Sequence, residues 1–401
     1  MPNRRNYVTA ILCLNMILAG VALAATAPYR AVVAIDAVGL SNSAYAVVMT
    51  FSALGAAAVS VLLGWISDRI PDRRILVLFC AAVGAIGFGA VYAVPTALCY
   101  ILAFCLLIPF GNAFFSQSFS YARDYYDRTW PERAEFLVSV LRSFFAAAWV
   151  IVPPLAGWLA SVTDLFAVFA LAALACLVST LLLALLLRER SARIGPPPAS
   201  DARARLRELP RVDISTSHKF GFVGVMLINI SMALHITALP LVIIRDFDGS
   251  LADVGLVAGM AALPEVPLMI AWGYLAMRMP KETIITINAV LYAAYMALFM
   301  LARSITDILV LQLLNAIATA ALMSLTIGYM QDMIKGRIGL STSLLDVARV
   351  LSWLISSAIF ALVASNVTYL PVFAIAAGLS LVGGVLIRLS QYAKVSAPEY
   401  S

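Results

Sequence analysis

Twelve apolar runs, each long enough to cross a bilayer as a helix, dominate this chain and leave few folds open to it. A helical span needs about 20 apolar residues to cross roughly 30 Å of hydrocarbon. The runs fall at 7–35, 44–66, 75–94, 97–122, 135–160, 165–187, 219–244, 252–277, 283–302, 305–330, 342–365 and 368–390. No segment alternates polar and apolar residues as a barrel strand does, so the spans are predicted to be helices. Of the 401 residues, 63% are hydrophobic and only 12% charged, too little polar surface for a soluble protein of this length. The expected fold class is an all-α integral membrane protein of 12 transmembrane helices, with the lipid bilayer as its solvent. "MPNRR" and "ALAATA" around the first run imitate a signal peptide. That run is longer than an ordinary signal core, so it reads as the first span.

An even number of spans puts both termini on one side, and the basic residues choose the side. One set of loops and ends holds most of the lysines and arginines, including Arg4, Arg5, Arg69, Arg73, Arg74, Arg123, Arg128, Arg133, the run from Arg188 to Lys219, Arg278, Lys281, Lys335, Arg337, Arg388 and Lys394. The opposite set holds only Arg30, Arg245 and Arg303. Both termini are therefore expected in the cytoplasm. The net charge of +6 follows from orientation, and no nucleic-acid partner is implied. The five cysteines lie in apolar runs without CxxC spacing and read as small core residues. With two histidines and neither HExxH nor GxSxG, no metal, cofactor or enzymatic activity is expected.

The longest hydrophilic stretch, Arg188 to Lys219, divides the chain near its middle. It is proline-rich and then basic, too poor in apolar residues for a domain, and reads as a cytoplasmic linker. The expected organisation is 1–187, a six-helix bundle; 188–218, the linker; and 219–401, a second six-helix bundle. The flanks resemble each other. Gly64, Arg69 and Pro71 of "GWISDRIPDRR" match Gly273, Arg278 and Pro280 of "GYLAMRMPKET" (273 − 64 = 209). "YARD" matches "YMQD", pairing Asp124 with Asp332 (332 − 124 = 208), and Arg142 matches Arg349 (349 − 142 = 207). Three matches at a nearly constant offset argue for a duplicated six-helix unit.

Two such halves, and the "GWISDRIPDRR" stretch between spans 2 and 3, resemble the major facilitator superfamily. The resemblance implies a pseudo-two-fold fold with a substrate site between the halves near mid-membrane. It also implies a cytoplasmic gate at Gly64, Asp68, Arg69, Arg73, Arg74, Asp124 and Asp332. Gly64 would let helices approach closely. Asp68 would accept N–H groups at a neighbouring helix start near Ser341 and Thr342. The arginines would pair with acids such as Asp124. Pro71 and Asp72 stand where that signature has Gly-Arg.

Further stretches are similar to the sugar efflux transporter family, in that family's order. They are "YARDYYDRT", "VLRSFFAAAWVIVPPLAGWLA", "ALPLVIIRDF", "LPEVPLMIAWGYLAMR", "LQLLNAI", "GYMQDM" and "STSLLDVARVLSWLISSAI". This resemblance implies export of simple sugars or small glycosides across the bacterial cytoplasmic (inner) membrane against proton entry, with the proton gradient as energy source and the monomer as working unit. An exporter of drugs or other metabolites on the same fold is the alternative. An intramembrane enzyme or sensor lacks a catalytic constellation or soluble domain here.

Intramembrane charges are expensive and mark candidate pathway residues. Arg142 and Arg349 lie at matching depth, roughly 10 Å from the cytoplasmic ends of their spans at about 1.5 Å per residue. They either line the inner cavity or snorkel and pair with helix-end groups such as Asp346. Glu265 lies roughly 18 Å inward from Met277 by the same rise, with no lysine or arginine within four positions. A carboxylate so isolated is costly as an anion, which suits a group that takes up and releases a proton or binds a sugar directly. The alternative is a structural acid, permanently protonated or paired with an arginine. Pro264 and Pro267 are expected to loosen the helix around it. Sugars need neutral donors and acceptors and an apolar face. Asn15, Asn112, Gln117, Asn229, His235, Gln312 and Asn315, with Trp149 and Trp353 for stacking, are the candidates, and helix-to-helix hydrogen bonding is the competing role for each amide. His235 ranks second to Glu265 as a proton site.

Overall fold

The computed structural model describes residues 2–67, 69–194, 216–333, 338–364 and 368–395. Among them the regular structure is helical, and twelve helices are long and apolar enough to cross a membrane. They are α1 (Arg5–Ala37), α2 (Asn42–Ser67), α3 (Arg73–Ala93), α4 (Ala97–Thr129), α5 (Pro131–Val162), α6 (Ala167–Leu187), α7 (Ser217–Arg245), α8 (Leu251–Leu275), α9 (Lys281–Phe299), α10 (Ile305–Met333), α11 (Leu344–Val363) and α12 (Leu370–Ala393). Each apolar run became one span. Ends are set by local chemistry: Asp72 caps α3 by accepting the Arg74 amide, and Ser250 with Asp253 forms a capping box at α8.

The chain divides into two units, Met1–Leu40 with Phe51–Pro210, and Ser41–Thr50 with Arg211–Ser401. In the first, α1 packs on α5 and α6, and α3 packs on α4 and α6. In the second, α7 packs on α11 and α12, and α9 packs on α10 and α12. The pairings repeat in the same order, as a duplicated six-helix unit requires. Small residues let backbones approach within each unit. A Cβ on Gly84 would sit 2.9 Å from the Gly111 Cα, and one on Gly383 would sit 2.9 Å from the Gly224 carbonyl oxygen.

The observed division differs from the expected one in two places. The first turns of α2 group with the second unit, where the Tyr369 hydroxyl donates to Asn42 Oδ1 (3.0 Å), Asn42 Nδ2 donates to the Ala364 carbonyl (3.3 Å) and Tyr45 packs edge-on to Phe360. The start of the expected linker is docked on the first unit. Ala192 and Ile194 are buried in its core, and Tyr121 donates to the Ala192 carbonyl at 2.8 Å. Residues 195–215, Asp68, Lys335 and Arg337 lie outside the described residues, as do the side chains of Ser341 and Thr342.

Candidate functional site

At the arginine-rich helix ends the two units carry the same ion pair. Arg73, which opens α3, bonds to Asp124 in the last turns of α4. Lys281, which opens α9, places Nζ 2.7 Å from Asp332 Oδ2 near the end of α10. The partners are 51 residues apart in both pairs. Arg74 takes a different part. It is buried, pairs with Asp72 at 2.6 Å and donates to the carbonyls of Leu186 and Glu189 at the end of α6. Asp72, foreign to the superfamily signature, is thus a helix cap and the counter-charge of a buried guanidinium. Arg69 donates to the Trp65 carbonyl and lies 4.0 Å over the Trp65 ring.

An added Cβ at Gly64 or at its counterpart Gly273 would meet nothing within 4 Å among the described residues. The expected Asp68 contact with Ser341 and Thr342 falls outside the described residues.

In the first unit, Asn15 is only 1% exposed and fully engaged: its amide donates to Ser118 Oγ and accepts from Ser179 Oγ, both at 2.9 Å. It ties α1, α4 and α6 together, the structural role weighed for such amides. Asn112 accepts from Arg30 Nη2 at 3.4 Å. Arg30 was expected in an outer loop, but α1 continues through it to Ala37. Its guanidinium stands over the Phe104 ring and within 3.5 Å of the Thr26 hydroxyl. Counted with the outer loop charges although it falls inside the run 7–35, this arginine was left out of the candidate pathway residues. Gln117 and Trp149 are half-buried. Arg142 is exposed, with its guanidinium carbon 4.8 Å from the Phe119 ring centre.

Arg349, its repeat partner in the second unit, instead lies 3.8 Å from Asp346, one turn earlier. The residue three before Arg142 is Ser139, which explains the lack of a matching acid. Asn229 donates to the Val225 carbonyl of its own helix, and the Trp353 carbonyl accepts from Ser356 and Ser357.

The second unit brings three predicted residues into one network. His235 of α7 sits between two α9 tyrosines, with Nδ1 3.0 Å from Tyr292 Oη and Nε2 2.9 Å from Tyr295 Oη. Gln312 of α10 donates to Tyr295 Oη at 3.2 Å and accepts from Asn315 Nδ2 at 2.8 Å. His235 is 4% exposed and Gln312 0%. The tyrosines were missed; two of them at i, i+3 in the apolar "LYAAYM" were the available signal.

Glu265 is half-buried on α8 and has no hydrogen bond or ion pair to another described residue. The helix around it is not broken. α8 runs without interruption through Pro264 and Pro267, which leave the Met260 and Leu263 carbonyls without their usual amide donors.

A duplicated six-helix unit with polar groups buried inside each bundle defines a membrane transporter fold. The sequence profile of the Major Facilitator Superfamily matches residues 12–220 and 221–399. The chain is 30% identical to Sugar efflux transporter B of Salmonella typhimurium, over 89% of this chain and 88% of that one. It is also 30% identical to Sugar efflux transporter A of Dickeya chrysanthemi, over 82% and 81%. Among solved structures, the POT family transporter PepTSo matches with a TM-score of 0.78 at 11% identity, over 97% of this chain and 98% of that one, a likeness of fold alone. The chain belongs to the major facilitator superfamily and, within it, to the sugar efflux transporters. It is a transporter and not an enzyme.

Proposed function

We propose that this chain exports sugars or small glycosides from the bacterial cytoplasm by alternating access, driven by protons entering in exchange. In this reading both termini lie in the cytoplasm, the protein resides in the inner membrane and the monomer is the working unit. The observation that carries the proposal is Glu265: a carboxyl on an apolar span, without an ion pair among the described residues, in the unit that also buries the His235–Tyr295–Gln312 network of neutral donors and acceptors. Such a group is costly as an anion in low dielectric and holds a proton until water or a ligand reaches it. Hydroxyl-rich ligands are recognised by neutral amides and hydroxyls, and Asn112, Gln117, Asn229 and Asn315 belong to residue types that suit them. The relatives' names point to sugars as the cargo.

The repeated ion pairs at Arg73–Asp124 and Lys281–Asp332 act as the cytoplasmic gate in each half, with Arg69 beside them. Arg142 and Arg349 serve the inner side of this gate, where each exchanges its present neighbour, Phe119 or Asp346, for another during the cycle. The test is efflux of a labelled sugar panel from proteoliposomes, with and without an imposed pH gradient. Export of at least one sugar, accelerated by the gradient, is expected. Failure to move any sugar while amphipathic dyes are exported would assign the chain to drug export instead.

A further inference from the structure

The hydrogen bonds around His235 favour one protonation pattern, in which the Tyr295 hydroxyl accepts once and donates once. The Ile308 carbonyl only accepts, so the Gln312 atom 3.2 Å from it is the amide nitrogen. That nitrogen also faces Tyr295 Oη, which therefore accepts from Gln312. The Tyr295 proton then goes to its other partner, His235 Nε2. A neutral imidazole that accepts at one nitrogen donates at the other, so His235 Nδ1–H donates to Tyr292 Oη. Every bond runs one way, from Asn315 through Gln312, Tyr295 and His235 to Tyr292. At the far end Asn315 Oδ1 is buried without a partner among the described residues, and at the near end this pattern gives the Tyr292 proton no partner within the network. Bonds aligned in this way polarise one another and strengthen the terminal donor. The rings of Tyr292, Tyr295 and Phe373 meet the imidazole edge-on and hold its plane.

We infer that His235 is a positioning residue, held as its Nδ1–H tautomer by the Asn315–Gln312–Tyr295 chain, so that the Tyr292 hydroxyl stays free to donate to the Glu265 carboxyl when that group has given up its proton. The transport role deepens the reading of Glu265 above and rests on it; the tautomer does not.

The test has two arms on the full chain in lipid nanodiscs and proteoliposomes. The chain has two histidines, so spectra of ¹⁵N-histidine-labelled protein, assigned with a His218→Gln variant, show which His235 nitrogen carries the proton. A neutral ring protonated at Nδ1 is expected. Protonation at Nε2, or a charged ring, would overturn the inference. In the transport arm, His235→Asn keeps an amide donor at the Nδ1 position, whereas His235→Gln keeps one only at the Nε2 position. The Asn variant is expected to retain most flux and the Gln variant to lose about tenfold, the effect of one buried hydrogen bond. Equal flux, or the reverse order, would overturn the positioning role. Glu265→Gln run alongside reports separately on the Glu265 reading, since the tautomer is measured without transport.

Discussion

Lys281 Nζ lies 2.7 Å from Asp332 Oδ2, and Arg73 repeats this contact with Asp124 at the same separation along the chain. The offset between the pairs is 208 at both members (281 − 73 and 332 − 124). The duplication therefore preserved an interaction as well as a fold.

The two pairs differ in exposure, and so in what they contribute to stability. Asp332 is largely solvated and the Lys281 side chain is 31% exposed, so Asp332→Asn is expected to cost less than about 1 kcal/mol. Arg73 is mostly buried, so Asp124→Asn is expected to cost about 1.5–3 kcal/mol through a stranded guanidinium. Thermal unfolding in detergent gives the ranking. Flux is expected to fall in both variants and to recover in part when the Lys281–Asp332 charges are swapped.

Asn15 is expected to matter for stability and not for substrate. Asn15→Leu leaves the Ser118 and Ser179 hydroxyls unpaired inside the first bundle, at a cost of about 1–2 kcal/mol. Melting temperature should fall while the sugar KM stays unchanged. A raised KM with unaltered melting would return Asn15 to the substrate pathway.

The glycines separate sharply by position. Gly383→Val would force side-chain atoms into the Gly224 carbonyl and Ile228, where even a Cβ comes within 2.9 Å. Overpacking of this kind costs about 1–3 kcal/mol or more, and folded yield should drop. Gly273→Ala meets nothing within 4 Å and should gain about 0.5–1 kcal/mol from helix propensity. Yield and melting temperature of the two variants check both expectations.

Arg142 lies over Phe119, a contact that favours a planar guanidinium over an ammonium. Arg142→Gln is expected to lower turnover about tenfold while substrate affinity changes less than about threefold, and Arg142→Lys should rescue little. Binding and flux measured separately decide the point. Loss of affinity equal to loss of flux would place Arg142 on the substrate instead of the gate.

Element existence was legible in the sequence because a bilayer demands long apolar runs, and all twelve appeared with ends shifted by a few residues. The duplication was legible from Asp124 with Asp332 and Arg142 with Arg349, whose spacing survives sequence drift. Partner choice was not legible. Asn15 and Gln312 are both amides inside spans, yet one is closed off by two serines and the other joins a histidine–tyrosine chain. Only packing decides that, through neighbours remote in sequence. Tyr292 and Tyr295 look like ordinary apolar filling until His235 is placed between them. Arg30 falls inside the first run, 7–35, yet was counted with the outer loop charges, so its bond to Asn112 was not anticipated. Gly64 belonged to a familiar signature, and the signature alone said nothing about the space around it.

The most direct test of proton-driven sugar export is Glu265→Gln in proteoliposomes loaded with a transported sugar, comparing downhill exchange with uphill export under a pH gradient. The variant is expected to keep sugar exchange and lose gradient-driven accumulation, because glutamine keeps the hydrogen-bonding shape but carries no removable proton. Full gradient-driven accumulation by the Gln variant would contradict the role assigned to Glu265.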